Sequence, residues 1–138
     1  ALANLCGRFT ELRFLLLMTL AEQSMLGDDG GAHIVVRFNT YLSPGQVGIG
    51  VPGGTDIHIT DNTIYGAKRT SSNVGIYVWN QYAVPCSGIE VARNKVKWFN
   101  AAGTSNPYWN SGNCGTVTGE SSNEWNANLD PATLRVTL

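Results

Sequence analysis

Charged residues are scarce in this sequence. Asp, Glu, Lys and Arg make up 14% of its 138 residues, and the formal net charge is -1. A nucleic-acid-binding domain needs a basic face, which this composition does not supply, so we expect no nucleic-acid partner. A helix that spans a bilayer needs about 20 apolar residues. The apolar run over 14–21 is much shorter, although it resembles the core of a signal peptide, and we expect no membrane partner.

Histidine and cysteine are also few, which limits metal and disulfide chemistry. The chain has only His33, His58, Cys6, Cys86 and Cys114. Their spacing matches no metal site, and phosphate-binding loops and nucleophile elbows are missing, so we predict neither a bound metal nor a cofactor. An odd number of cysteines gives no complete disulfide framework. Three unbridged thiols are the favoured interpretation, with one Cys86–Cys114 bridge as the alternative.

The sequence does contain a short pattern that occurs three times. Each copy consists of Ile, any residue, Val or Ile, any two residues, Asn, any residue and an apolar residue. The Asn residues of the three copies are Asn39, Asn62 and Asn94. The copies themselves span 34–41, 57–64 and 89–96.

The pattern predicts a strand, a corner and a second strand in each copy. Side chains of a strand alternate between two faces, so the first and third positions of a copy point into one core. The two residues before each Asn break this alternation and mark the corner. Copies in one register indicate stacked coils, in which the three Asn side chains form a hydrogen-bonded ladder.

A second strand type recurs after each corner. Val47–Val51 and Val74–Val78 both read Val-Gly-Ile-any-Val, and Cys114–Thr118 is the predicted counterpart in the third coil. The segment between the Asn and this strand lengthens from coil to coil, and the longest predicted loop is 99–113. In repeat proteins such insertions gather on one face, often the binding face.

The Asn-centred pattern resembles that of the right-handed parallel β-helix of the pectate-lyase-like superfamily, over about residues 31–120. The resemblance implies an all-β fold of about three coils and an extracellular or periplasmic origin, although no cleaved signal is evident. A small β-sandwich is the alternative fold. Three coils are near the minimum for stability. We therefore expect the C-terminal part of a longer β-helix, and a homo-oligomer, most simply a dimer.

We predict a single domain over 1–138, with special elements at both ends. Residues 1–27 fit an α-helix with a broad apolar face, begun by Thr10 and ended by Gly27. It is interpreted as a lid on the open end of the stack, with a subunit-contact helix as the alternative. Residues 121–138 are predicted to be a polar, loop-like tail that ends in a strand over 134–138.

The outward rows of the stack bring four candidate catalytic residues together. They are His58 beside Glu90, and Asp61 beside Arg93. A β-helix polysaccharide lyase would use acidic calcium ligands and a basic residue, and a glycosidase would use paired carboxylates. Calcium is therefore expected only under the lyase interpretation. The acidic cluster of such a lyase is missing, so the favoured interpretation is a surface ion pair and a structural histidine.

Exposed-looking aromatic residues are the second candidate site. The predicted substrate-binding residues are Trp79, Tyr82, Tyr108 and Trp109, in or beside the insertions. Aromatic rings among amides and hydroxyls suit stacking on sugars; packing against the solenoid or a subunit is the alternative. We expect a non-catalytic β-helix module that contacts polysaccharide. The alternative is a lyase or glycoside-hydrolase-like enzyme acting on an acidic polysaccharide.

Overall fold

The computed structural model of the protein describes residues 3–5 and 24–134, which form an all-β parallel β-solenoid of about four turns. All pairs between its strands are parallel, which excludes the alternative of an antiparallel β-sandwich. The strands are, in chain order, β1 (Ala3–Leu5), β2 (Ser24–Leu26), β3 (Ala32–Arg37), β4 (Thr40–Leu42), β5 (Val47–Val51), β6 (Thr55–Thr60), β7 (Thr63–Gly66), β8 (Val74–Val78), β9 (Ser87–Ala92), β10 (Lys95–Trp98), β11 (Tyr108–Asn110) and β12 (Glu124–Trp125).

Three parallel sheets run along the solenoid. Sheet A has the strand order β1-β2-β5-β8-β11, sheet B the order β3-β6-β9, and sheet C the order β12-β10-β7-β4. Each turn of the chain passes through sheets B, C and A in succession. The core lies between the sheets, where like residues stack on like; Ile57, for example, pairs with Ile34 and Ile89, all at most 1% exposed. The predicted register of the three copies is confirmed.

The predicted corner between sheets B and C is confirmed at the level of the backbone. The residue before each Asn adopts a left-handed conformation, with φ of 57° at Phe38, 57° at Asp61 and 55° at Arg93. These three residues form the row that the sequence places at the corner. The backbone turns there, and the side chain of the following Asn is hydrogen-bonded in the interior of the stack.

The Asn side chains form a fully buried ladder. Asn62 Oδ1 accepts from the backbone and side-chain N–H groups of Asn39, at 3.1 and 3.2 Å. Asn62 donates in the same manner to Asn94 Oδ1, at 3.0 and 2.9 Å, and its side chain also donates to the Val36 carbonyl at 2.9 Å. Asn39, Asn62 and Asn94 are 0% exposed, so the ladder satisfies polar groups that water does not reach.

A fourth turn follows the three predicted coils. Asn123 Oδ1 accepts from both N–H groups of Asn94 at 2.9 Å, and β12 then pairs with β10. Thr118 pairs with Glu90 and so continues sheet B. The prediction of a loop-like tail from residue 121 is therefore wrong for 121–125, which holds part of a 3₁₀ turn, a ladder Asn and a strand. The predicted strand over 134–138 lies outside the described residues, apart from residue 134.

The third strand of the second type was assigned wrongly. Tyr108–Asn110, not Cys114–Thr118, pairs with β8 in sheet A, and the predicted 99–113 loop is therefore shortened to 99–107. Cys114–Thr118 has a Gly and a Val in similar order to the other two strands, whereas in β11 the aromatic ring of Tyr108 occupies the inward position.

The predicted N-terminal helix falls largely outside the described residues, which omit 6–23. At its predicted end, Ser24–Leu26 forms a strand that pairs with β1 and β5, so Met25 lies in sheet A. Ser24 and Leu26 are buried and Met25 is half-buried, which is the alternation of a strand. In the described residues, no helix is long and apolar enough to span a membrane.

The favoured interpretation of three unbridged thiols is wrong for two of the cysteines. Cys86 and Cys114 form a disulfide, with Cα atoms 4.5 Å apart. They lie in successive loops that lead from sheet A to sheet B, so stacking places them side by side. Cys6 lies outside the described residues.

Candidate functional site

Sheet B carries a chain of four titratable side chains on its outer face. His58 pairs with Glu90 across β6 and β9, and its Nδ1 lies 2.5 Å from Glu90 Oε2. Its Nε2 lies 2.7 Å from Asp56 Oδ1, and the other oxygen of Asp56 lies 2.6 Å from His33 Nδ1. The chain His33–Asp56–His58–Glu90 thus joins three turns of the solenoid.

The electrostatics of this chain favour a charged imidazole between two carboxylates. Burial lowers the pKa of His58, but its hydrogen bonds to Glu90 and Asp56 outweigh this effect, and the pKa lies above its ordinary value of 6.5. Hydrogen bonds from His33 and His58 lower the pKa of Asp56. Both ring nitrogens of His58 contact a carboxylate oxygen, and in the protonated ring both donate, so that form has no lone pair to act as a base.

The second predicted pair lies at the corner. Arg93 Nε and Nη2 donate to the two carboxylate oxygens of Asp61, each at 3.0 Å, which is a bidentate pair. The Arg93 guanidinium lowers the pKa of Asp61. The structure thus brings His58 to Glu90 and Asp61 to Arg93, as the row alignment predicts. Across the described part of the chain, no group of three or more His, Cys, Asp or Glu side chains could hold a metal ion.

Sheet A carries the other candidate, a groove on its outer face. Its cavity volume is about 560 Å³. A row of residues that pair across neighbouring strands runs along the groove: Met25, Gly50, Tyr77 and Trp109. The apolar and aromatic lining consists of Met25, Val47, Val74, Tyr77, Trp79 and Trp109, and the polar lining of Gln46, Asn73, Gln81 and Asn106.

The floor of the groove depends on one glycine. A Cβ atom on Gly50 would lie 2.5 Å from Tyr77 Cε1 and 2.8 Å from Met25 Sδ. The Tyr77 ring therefore lies over the Gly50 backbone, and its hydroxyl donates to Met25 Sδ at 3.6 Å. Val47, Val74 and Tyr77 form a small apolar cluster separate from the main core, with Met25 packed against it. This cluster gives the groove an apolar floor.

Two tryptophans form the aromatic wall. The rings of Trp79 and Trp109 meet edge to face with centroids 5.9 Å apart. Their exposed fractions are 44% and 46%, which is high for large apolar side chains. Their mutual contact holds both rings in place while leaving apolar surface open to solvent.

Amides form the rim, one from each of three turns. Gln46 and Asn73 directly precede the Val residues that begin β5 and β8, and Asn106 lies two residues before β11. The backbone N–H of Asn73 donates to the Gln46 carbonyl at 2.8 Å, and the side chain of Asn106 donates to the Asn73 carbonyl at 2.9 Å. The loops that lengthen from turn to turn therefore end at the groove.

The four predicted substrate-binding residues separate into two groups. Trp79 and Trp109 line the groove, whereas Tyr82 is 41% exposed beyond the lining. Tyr108 points the other way: its ring stacks on Trp125 at 4.7 Å, and its hydroxyl donates to Glu120 at 2.5 Å. This contact places Tyr108 against the core rather than in the groove.

Sequence analysis missed Tyr77 and the three rim amides. Tyr77 lies within a Val-Gly-Ile-Tyr-Val strand, and the alternation of that strand places it outward. The sequence does indicate two of the rim amides, because Gln46 and Asn73 each directly precede a strand with the Val-Gly-Ile pattern.

Comparison with known proteins identifies no relative: no protein-family model, curated protein or solved structure matches the chain. The function must therefore be argued from the two faces described above.

Proposed function

We propose that this protein is a non-catalytic glycan-binding β-solenoid module that holds a polysaccharide in the groove of sheet A. The observation that carries this proposal is the exposed Trp79–Trp109 pair beside a row of amides. Sugar rings present C–H groups on their faces and hydroxyls on their rims. Aromatic rings bind the former and amides the latter.

The volume of the groove falls within the range of known ligand sites. Ligand sites are commonly about 300–1,000 Å³ in volume, with a mostly apolar lining and a few polar groups that fix orientation. The cavity of about 560 Å³ lies within that range. The rigid sheet beneath it holds Tyr77 and Trp109 on neighbouring strands, so little side-chain freedom is lost on binding.

The catalytic alternative has weaker support. Glu90, Asp56 and Asp61 each contact a histidine or arginine, and these contacts hold the carboxylates in ion pairs. A general base has to be available to a substrate proton. The charged face therefore supports a structural role, and it lies on sheet B, away from the groove lining.

We also propose an extracytoplasmic location and a relationship to the pectate-lyase-like β-helices. The Cys86–Cys114 disulfide supports the location, because structural disulfides persist in oxidising compartments. The Asn ladder at one corner supports the relationship, as the sequence pattern does.

The test is binding to a panel of polysaccharides, followed by calorimetry on the best ligand. We expect Trp79→Ala and Trp109→Ala each to weaken binding about tenfold or more, the equivalent of 1.4 kcal/mol. Both side chains are half-exposed, so the variants should keep the wild-type circular dichroism spectrum.

The matched control is Tyr82→Ala, which removes an exposed aromatic ring outside the groove lining and should leave affinity unchanged. Equal losses in all three variants, or no binding to any polysaccharide, would refute the proposal.

A further inference from the structure

We infer that the groove of sheet A selects an uncharged saccharide chain and rejects uronates. This inference rests on the proposed glycan-binding function and names its ligand class. It differs from the acidic polysaccharide that the enzyme alternative implies.

The first argument is the chemistry of the lining. Among the described residues, those that line the groove are all uncharged. Carboxylate ligands are normally held by Arg or Lys, whose N–H groups donate to both oxygens. A uronate in this groove would lose water around its charge and gain no cation from the described lining residues, which is unfavourable.

The second argument is the charge beside the groove. Tyr77 lies on the groove floor; burial raises its pKa, the hydrogen bond from Gln81 lowers it, and the Asp28 carboxylate raises it further. A carboxylate that acts on the groove floor repels a second carboxylate and does not act on a neutral sugar.

The third argument is hydrogen-bond complementarity at the rim. Each rim amide carries both a donor and an acceptor, and so does each sugar hydroxyl, whereas an ionised carboxylate only accepts. Gln46, Asn73 and Asn106 come from three successive turns, and neighbouring strands lie about 4.8 Å apart. A saccharide lying along the solenoid axis would therefore meet a new amide at every turn.

The experiment uses two matched ligands, an oligogalacturonate and its fully methyl-esterified form, together with neutral xylo- and cello-oligosaccharides of the same length. Calorimetry should show at least tenfold tighter binding of the ester and of a neutral series than of the free acid. Raising the salt concentration should leave neutral binding unchanged, because no ion pair forms.

A charge variant completes the test. Asn106→Lys places a cation on the rim and should strengthen binding of the free acid severalfold; Lys68→Gln, in a loop outside the lining, serves as the control. Binding of the free acid as tight as that of the ester would overturn this inference but leave glycan binding intact.

Two other outcomes would remove the glycan function itself. If no saccharide binds and a proline-rich peptide does, the groove is a peptide site. If sedimentation shows a dimer that Trp109→Glu dissociates, the groove is a subunit interface. Both results also overturn the inference. They differ from tight binding of the free acid, in which a saccharide still binds in the groove.

Discussion

One corner of the solenoid keeps a constant length while the other two vary. Between sheets B and C, every complete turn uses two residues, such as Asp61 and Asn62. Between sheets C and A, the loops are 43–46, 67–73 and 99–107, which lengthen from four to seven to nine residues. The Asn of the constant corner is buried and hydrogen-bonded along the stack, whereas the loops between sheets C and A end at the rim amides of the groove.

The Asn ladder that stabilises the stack and the groove that we propose to bind glycan thus lie in different parts of each turn. A buried Asn fixes the length of its corner, because a longer or shorter turn would move the amide out of the ladder. The loops on the opposite side have no such requirement and can differ in length and composition. Between sheets A and B, the Cys86–Cys114 disulfide and two hydrogen bonds between Asn80 and Asn113 join two successive loops.

The largest expected effect is removal of that disulfide. It closes a segment of 28 residues, and chain-entropy arguments give about 3.6 kcal/mol for a loop of this size. The double variant Cys86→Ser, Cys114→Ser should therefore lower the free energy of unfolding by about that amount, measured by urea denaturation. Replacing both cysteines avoids leaving one member of the bridge as a free thiol.

Glycan binding by the same double variant provides the control for the groove. The disulfide lies outside the groove lining, so affinity should change less than twofold at a temperature where the variant is folded. An unchanged urea midpoint would show that the disulfide does not stabilise the corner between sheets A and B.

The next effect is expected at the constant corner. Asn62→Ala removes the side-chain acceptor of two Asn39 N–H groups and the side-chain donor to Asn94 Oδ1 and to the Val36 carbonyl. Unpaired buried groups cost about 1–3 kcal/mol, and we expect a loss in the upper half of this range. Urea denaturation measures it.

The matched control is Asn123→Ala, at the half-buried end of the ladder. Water can replace part of its bonds, so the loss should be smaller than at Asn62. Equal losses, or a neutral Asn62→Ala, would count against burial as the reason for the constant length.

The two corners also differ in how far the sequence reveals them. The three central Asn residues were predictable because the apolar positions around them recur at fixed spacing. Asn123 was missed for a physical reason: the 3₁₀ turn Glu120–Ser122 adds a residue before it, and Gly119 stands where Val91 stands in the previous turn. The disulfide was not favoured because pairing depends on which loops stack together.

The groove was predictable only in part. Trp79 and Trp109 were visible as aromatic residues near insertions, but their contact requires β8 and β11 to be neighbours. The sequence predicts Cys114–Thr118 as the neighbour of β8 instead, since β11 lacks the Val-Gly-Ile pattern. Composition thus indicates which residue types are present, while the stacking order decides which of them share a face.

The smallest effect concerns pH, because the amides of the ladder do not titrate but the chain on sheet B does. The raised pKa of His58 gives stability that is complete below about pH 6.5 and is lost as pH rises through the folded value. The lowered pKa of Asp56 gives stability that is complete above about pH 4 and is lost as pH falls through its folded value. These two contributions are therefore largest together between about pH 4 and 6.5.

A melting series from pH 3 to 9 measures this contribution. Partial exposure of His58 limits it to about 1 kcal/mol or less, a few degrees in Tm. His58→Gln should remove the fall in Tm on the alkaline side, whereas Lys97→Gln on sheet C, a control outside this chain, should keep it. If Tm still falls at alkaline pH in His58→Gln, another titratable group must cause the fall. Loss of the fall would establish that the titratable chain on sheet B responds to pH, in contrast to the buried Asn ladder at the corner between sheets B and C.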